Sequence, residues 1–317
     1  MATYNKRELP KLDLDLLNGS EADLADLVLI AERSLKEVGF FVIKNHGVSE
    51  DTIRRTFGIS RRFFDLDVSQ KSKVRMTSDY PYGYEKAEIL SQSLNGEGVT
   101  PDPKETYNIK VSDPRWPDEP LEFKAIVMEY CNAMWTLARK ILRLFALVLR
   151  QSEDFFDDKF PTDNMTVFRQ LNYPHVAPGP DRIRASQHTD YGVLTILAQD
   201  NVGGLQVKLP GQEWEDASTP QGCLLVNIGD MMQRWSNDSW RSTLHRVVKK
   251  ESASQTDNRR QSMVFFVNPG KDVMIECIPD YQATGEEAKY SAIKAEEYVL
   301  AKHYSTIPSI LASAGEK

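Results

Sequence analysis

The sequence predicts an α+β protein: a double-stranded β-helix, the jelly roll of cupin-like folds, flanked by helices. Three observations carry this. In the first half, apolar residues recur at three- and four-residue spacing. From about residue 166, short β-branched and aromatic runs alternate with turn signals such as Gly203-Gly204, Pro210-Gly211 and Asn268-Pro269-Gly270. No long helical stretch separates those runs, which points to antiparallel sheets rather than β-α-β units.

The elements follow in order. Leu24, Leu27, Ala31, Leu35 and Val38 form the stripe of an amphipathic helix that Gly39 ends. Phe40-Phe41-Val42-Ile43 reads as a short buried strand, closed by Asn45-His46-Gly47. A second helix follows Ser49, with Ile53, Phe57, Ser60 and Phe64 on one face. Residues 77–118, rich in Ser, Asp, Pro and Gly, read as a long irregular segment of the kind that forms lids and binding loops. The longest helix uses Ile126, Tyr130, Met134, Leu137, Ile141, Leu144, Phe145 and Val148. Strand-like runs then occupy 192–199, 205–209, 223–228, 242–248 and 261–267, and a last helix is expected from Glu286 to Tyr304. The chain is expected to divide into an N-terminal helical and strand region, 1–120, and a catalytic region of long helix, jelly roll and last helix, 121–317, forming one compact unit.

Composition narrows the function. The 317 residues carry 39 Lys+Arg against 46 Asp+Glu, a net charge of −7, which argues against a broad nucleic-acid or anionic-membrane footprint. There is neither an apolar run long enough to span a bilayer nor a signal-like leader. Three scattered cysteines form neither a disulfide framework nor a zinc ribbon, so the expected setting is the cytosol; a monomer is expected.

Chemistry concentrates in Gln187-His188-Thr189-Asp190 and Thr243-Leu244-His245-Arg246-Val247. Residues i and i+2 of a strand share a face, so His188 and Asp190 can grip one ion, with His245 arriving from a distant strand. Two imidazoles and one carboxylate on one side of a metal leave the opposite positions open, which suits Fe(II). Read alone, the tripeptide also fits two unrelated barrel histidines. Arg260 and Ser262 share a face at the head of the run 261–267, a good receptor for a carboxylate, although a surface arginine opening a strand has the same appearance. Tyr173, extended because it precedes Pro174, is either a partner in that receptor or a core tyrosine. His46, His175 and His303 read as bystanders.

These motifs resemble the Fe(II)- and 2-oxoglutarate-dependent oxygenases of the isopenicillin N synthase-like superfamily. The resemblance runs through residues 38–48, Phe63-Phe64, Gly83-Tyr84, Lys104-Glu105-Thr106-Tyr107, His188-Thr189-Asp190, residues 203–207, Asn227-Ile228-Gly229-Asp230, His245-Arg246-Val247 and Arg260-Gln261-Ser262. The stretches Trp235-Ser236-Asn237-Asp238 and His188-Thr189-Asp190-Tyr191-Gly192 are similar to the small-molecule branch that includes thymine hydroxylase. The resemblance implies that His188, Asp190 and His245 are iron ligands and that Arg260, Ser262 and Tyr173 hold 2-oxoglutarate. It implies consumption of O2, release of succinate and CO2, and hydroxylation, desaturation or ring closure of a small metabolite. Some relatives have an asparagine two residues before the tyrosine; here the position is Leu171, and Arg169 is the candidate replacement. Tyr82, Tyr84, Arg169, Tyr191, Val207, Phe266 and the last helix are the expected substrate lining, and their polar members point to a polar or carboxylated substrate. The competing readings are a Zn- or Mn-dependent jelly-roll hydrolase or isomerase, which would not need the arginine, and a non-catalytic sensing relative.

Overall fold

Fourteen strands and six helices are found among the described residues of the computed structural model, which are 8–77, 79–86, 102, 104–175, 183–249, 258–278 and 287–306. The strands are β1 (Lys11–Asp13), β2 (Phe40–Lys44), β3 (Gly83–Glu85), β4 (Glu105–Lys110), β5 (Val167–Tyr173), β6 (Ile183–His188), β7 (Leu194–Gln199), β8 (Leu205–Lys208), β9 (Glu215–Asp216), β10 (Leu224–Ile228), β11 (Leu244–Val248), β12 (Arg260–Val267), β13 (Met274–Ile275) and β14 (Ile293–Lys294). The helices are α1 (Glu21–Glu37), α2 (Glu50–Phe64), α3 (Val68–Lys71), α4 (Phe123–Val148), α5 (Asp230–Trp235) and α6 (Ala295–Thr306). None is long and apolar enough to cross a membrane.

Local chemistry sets the boundaries. Ser20 starts α1 with a closed capping box: its hydroxyl accepts from the Asp23 amide, and the Asp23 carboxylate accepts from the Ser20 amide. Gly39 ends the helix with φ +71°. A Cβ there would lie 2.0 Å from the Arg241 carbonyl oxygen, so only glycine lets the chain turn into β2 at this point. Ser49 caps α2 by accepting from the Thr52 amide.

Two layers, antiparallel except for the parallel β1–β2 pair, make the jelly roll. The larger sheet runs β1-β2-β10-β7-β12-β5-β4-β3 and the smaller β6-β11-β8-β9. Alternation along the large sheet divides its side chains. Met263, Phe265 and Val267 of β12 join Phe168 of β5 and Ile196 of β7 in a core beneath the helices. Leu171, Tyr173, Leu197 and Leu225 face Leu205 and Val247 of the smaller sheet. In the helix-side core Phe63 stacks on Tyr107 at 4.7 Å and meets Phe123 at 5.4 Å. Truncating so enclosed a ring costs about 3–5 kcal/mol.

Three expectations need correction. The segment 77–118 is not wholly irregular: β3 and β4 lie in it and extend the large sheet, held by the register Asn108↔Arg169 and Tyr107↔Gln170. Its part from 87 to 101 lies outside the described residues. The final helix begins at Ala295 rather than Glu286, because Ile293–Lys294 first pair with β13. The first half is also less purely helical than its texture suggests, since four of the eight strands of the large sheet come from it.

Candidate active site

Strands β6 and β11 are antiparallel neighbours in which His188 is the register partner of His245. Their rings lie 4.3 Å apart, centroid to centroid. Each Nδ1 donates to the carbonyl two residues earlier, His188 to Ser186 at 2.7 Å and His245 to Thr243 at 3.1 Å. The lone pairs of both Nε2 atoms therefore remain for an electrophile. Asp190 corrects the sequence reading, because β6 stops at His188 and the carboxylate stands on the turn just beyond it. Its Oδ2 accepts from Thr195 Oγ1 at 2.7 Å and Asn227 Nδ2 at 2.6 Å, while Oδ1 lies 3.7 Å from His245 Nε2. One ligand atom from each of the three residues falls within 4.8 Å of the others, the single metal-competent cluster among the described residues.

The turn bearing Asp190 is clamped from behind. Asp230 N–H donates to the Asp190 carbonyl at 2.8 Å, and Met231 N–H reaches the Tyr191 and Gly192 carbonyls. Such an approach needs a residue without a side chain at 229, where a Cβ would lie 2.4 Å from the Gly192 oxygen.

Burial, with His245 beside it, pushes the His188 imidazole down to about 3. Burial alone would raise the Asp190 carboxyl, but His245, His188, Asn227 and Thr195 together hold it below the usual carboxylate range. A neutral imidazole and an ionised carboxylate are the forms that bind a divalent cation.

The trio opens on a cavity of about 230 Å³ between the sheets. Along one wall, register partners on β12 and β5 succeed one another: Arg260 with Tyr173, Ser262 with Leu171, Val264 with Arg169 and Phe266 with Val167. All eight line the cavity. Arg260 is buried, and its guanidinium donates to the neutral oxygens of Gly203 (2.9 Å), Gln199 (2.9 Å) and Ser262 (3.2 Å) while lying 4.9 Å from the Tyr173 ring centre. A buried cation held by neutral oxygens keeps its charge for an incoming anion. The donor set thus fits a metal at one point of the cavity and a carboxylate at its Arg260 end.

Tyr82, Tyr191, Arg169 and Phe266 line the cavity, and Val299 brings the last helix to it. Tyr84 and Val207 do not. The Tyr84 hydroxyl turns away to the Glu105 carboxylate, and Val207 is packed in the core between the sheets. Among the bystanders, His46 is buried and accepts from the Val48 amide, and His175 is exposed; the His303 side chain lies outside the described residues. Sequence reasoning missed Thr195 and Gln199, whose only mark is their place on cavity-facing strands, and gave no role to Asn227, which it read only as part of a resemblance motif. It also missed the pairing of Lys104, which it read only within a resemblance motif, with Asp102, a buried pair 3.4 Å apart. Lys104 lines the cavity, and Asp102 accepts from the Ser186 amide and hydroxyl.

Comparison with known proteins agrees with this chemistry. Residues 162–269 match the 2OG-Fe(II) oxygenase superfamily, and residues 9–132 match the N-terminal region of non-haem dioxygenases in morphine synthesis. A 2-oxoglutarate-Fe(II) type oxidoreductase of Aspergillus fumigatus is 31% identical over 92% of this chain and 90% of its own. Homoarginine-6-hydroxylase 2-ODD-C23.1 of Arabidopsis thaliana is 34% identical over 87% of this chain and 89% of its own. The full-length thymine hydroxylase of Neurospora crassa, solved in complex with alpha-KG, superposes with a TM-score of 0.84 at 30% identity, covering 95% of this chain and 97% of that one. Fold, donor set and relatives converge: the chain belongs to the 2OG-Fe(II) oxygenase superfamily, an oxidoreductase that uses Fe(II), 2-oxoglutarate and O2 to oxidise a small molecule.

Proposed function

We propose that His188, Asp190 and His245 hold the iron, that Arg260 and Ser262 with Tyr173 receive the far carboxylate of 2-oxoglutarate, and that the substrate is a polar or carboxylated metabolite. The observation that carries the reading is the placement of the three ligand atoms and the buried Arg260 guanidinium on one cavity. When bound, iron with 2-oxoglutarate supplies the oxidising power and releases succinate and CO2. The protein's part is binding, orientation and exclusion of water. Asn227 and Thr195 fix the carboxylate, the Ser186 and Thr243 carbonyls fix the imidazoles, and Leu171, Leu197 and Leu205 keep the Arg260 end apolar, where a charge pair is strengthened.

Arg169, Tyr82, Tyr191 and Phe266 form the proposed substrate end, offering one cation, two phenols and an aromatic face. The N. crassa enzyme has been solved with alpha-KG and thymine, and the Arabidopsis relative is a homoarginine hydroxylase. Both names fit a polar substrate of this size. A cytosolic setting is also proposed, in keeping with three free cysteines of which two are buried, and a monomeric state is proposed with it. Residues 1–120 and 121–317 are proposed to fold as one unit, because the large sheet takes strands from both.

The test is anaerobic titration with Fe(II) and then 2-oxoglutarate, followed by visible absorption. The wild type is expected to develop the chelate band, His245→Ala to lose it, and Arg260→Ala to reach it only at much higher 2-oxoglutarate. Equal loss of iron and 2-oxoglutarate binding in Arg260→Ala would overturn the anchor assignment. A metabolite screen read by stimulated succinate release then identifies the substrate, and stimulation by apolar compounds alone would overturn its proposed polarity.

A further inference from the structure

Helix α6 is tied to the turn that carries Asp190 chiefly through one residue, Asp230. The Asp230 N–H donates to the Asp190 carbonyl at 2.8 Å. Its carboxylate accepts from Ser242 Oγ at 2.8 Å, from Lys302 Nζ at 2.9 Å and from the Tyr298 hydroxyl at 3.3 Å. Lys302 also lies 5.5 Å from the centre of the Tyr191 ring, on the same turn as Asp190. Tyr298 and Lys302 are one helical turn apart, and Val299 beside them lines the cavity. One face of α6 therefore grips Asp230 and presents Val299 to the chamber.

Much of the rest of the seam is polar. Arg234 donates to the Ser291 carbonyl at 3.0 Å, and its guanidinium lies against the Tyr290 and Tyr298 rings. Asn237 donates to the Glu287 carbonyl and accepts from the Lys289 amide, while Asp238 accepts from the Tyr290 hydroxyl. Among the described side chains of α6, Ala295 alone is buried. Ala295 anchors the start of the helix in the core and Tyr298 and Val299 pack against it, while the turn from Tyr298 to Lys302 is fixed by directional polar bonds that can open and re-form locally.

We propose that α6 is the closing wall of the substrate chamber and that Asp230, Tyr298 and Lys302 are positioning residues which couple its closure to the turn bearing Asp190. In the closed state Val299 is the side chain offered to substrate, and Lys302 steadies Tyr191 from outside. The clasp itself does not depend on the assignment of metal or co-substrate, which decides only what closure shields.

The test is hydrogen exchange on the full-length chain, alone and with Fe(II) and 2-oxoglutarate under nitrogen. The double variant Tyr298→Phe/Lys302→Met removes both helix donors and leaves Asp230 in place. It is expected to exchange on the order of tenfold faster across 295–302, the scale of one charge-assisted bond, and severalfold faster across 190–193, with β5 and β7 unchanged. Lys302→Arg, which keeps the charge, is expected to behave as wild type in both segments. Acceleration confined to 295–302 would make α6 a packed appendage and sink the coupling; no acceleration there would sink the clasp. Failure to bind 2-oxoglutarate would alter only the loaded samples, so it is distinguishable from failure of the clasp.

Discussion

Asn227 of β10 reaches Asp190 on the turn after β6, with Asn227 Nδ2 2.6 Å from the Asp190 Oδ2 that also takes the Thr195 hydroxyl. β10 and β7 are paired in the register Asn227↔Thr195, so the two donors arrive side by side at one oxygen. The other oxygen, Oδ1, faces His245. A two-donor clamp on one oxygen thus aims the second at the metal centre. Asn227→Ala is expected to weaken Fe(II) binding by roughly 10–100-fold, the usual effect of losing an outer hydrogen bond to a ligand. Thr195→Val is expected to act in the same direction. Anaerobic metal titration of the folded variants checks both, and unchanged affinity would mean that the turn at 190–193 orients the carboxylate unaided.

Arg260 is predicted to discriminate between the two bound partners. Removing a buried cation from a carboxylate costs about 2–5 kcal/mol, or roughly 30- to several-thousand-fold in affinity. Arg260→Ala should therefore raise the 2-oxoglutarate dissociation constant by about that factor, with iron affinity within a few-fold of wild type. Arg260→Lys should recover only part of the loss, because an ammonium cannot reproduce the fork that meets Gln199, Ser262 and Gly203. Calorimetric titration with 2-oxoglutarate reads both variants.

Much of this site is legible in the sequence because strands have a fixed period. Arg260, Ser262, Val264 and Phe266 alternate with Met263, Phe265 and Val267, and that alternation assigns one set to the cavity and the other to the helix-side core. The two histidines are legible as residue types in strand-like runs, but their facing placement depends on pairing between β6 and β11, which no local pattern encodes. Asp190 resembles a strand residue because the HxD spacing suits a strand, whereas the clamp formed by the start of α5 ends the strand at His188. Tyr84 misleads for a related reason. A tyrosine in a Pro- and Gly-rich stretch resembles a loop residue, but β3 pairs with β4 and delivers its hydroxyl to Glu105.

Glu105 should give the protein a measurable acid limit. Its carboxylate takes Lys71 at 2.7 Å, the Tyr84 hydroxyl and Asn172 at 2.9 Å. Burial by itself would raise this carboxyl, but those three donors hold it below its ordinary value of 4.5. A depressed carboxyl contributes stability that is fully present above the ordinary value and is lost as pH falls through the depressed one. Glu105→Gln is therefore expected to lower stability by about 1–3 kcal/mol at neutral pH, because Lys71 loses its charged partner in a buried setting. The gap between the two proteins should narrow as pH drops below about 4.5. Denaturant titrations at neutral pH and at about pH 4 measure it, and a gap that stays constant would exclude Glu105 as its source.

Two glycines give opposite predictions for the same substitution. Gly58 lies in the middle of α2, and a Cβ added there would find nothing within 4 Å, so Gly58→Ala is expected to stabilise by about 0.5–1 kcal/mol. At Gly229 the same carbon would meet the Gly192 oxygen at 2.4 Å and the Asp190 oxygen at 2.8 Å. Backbone cannot step aside there without lengthening the bond from Asp230 N–H to the Asp190 carbonyl. Gly229→Ala should therefore destabilise by about 1–3 kcal/mol, the usual cost of overpacking. It should also weaken iron binding, since the displaced atoms belong to the turn that presents Asp190. Thermal melts and metal titrations on both variants separate the effects. Lower stability with iron affinity intact would show that the turn absorbs the methyl group without moving the carboxylate.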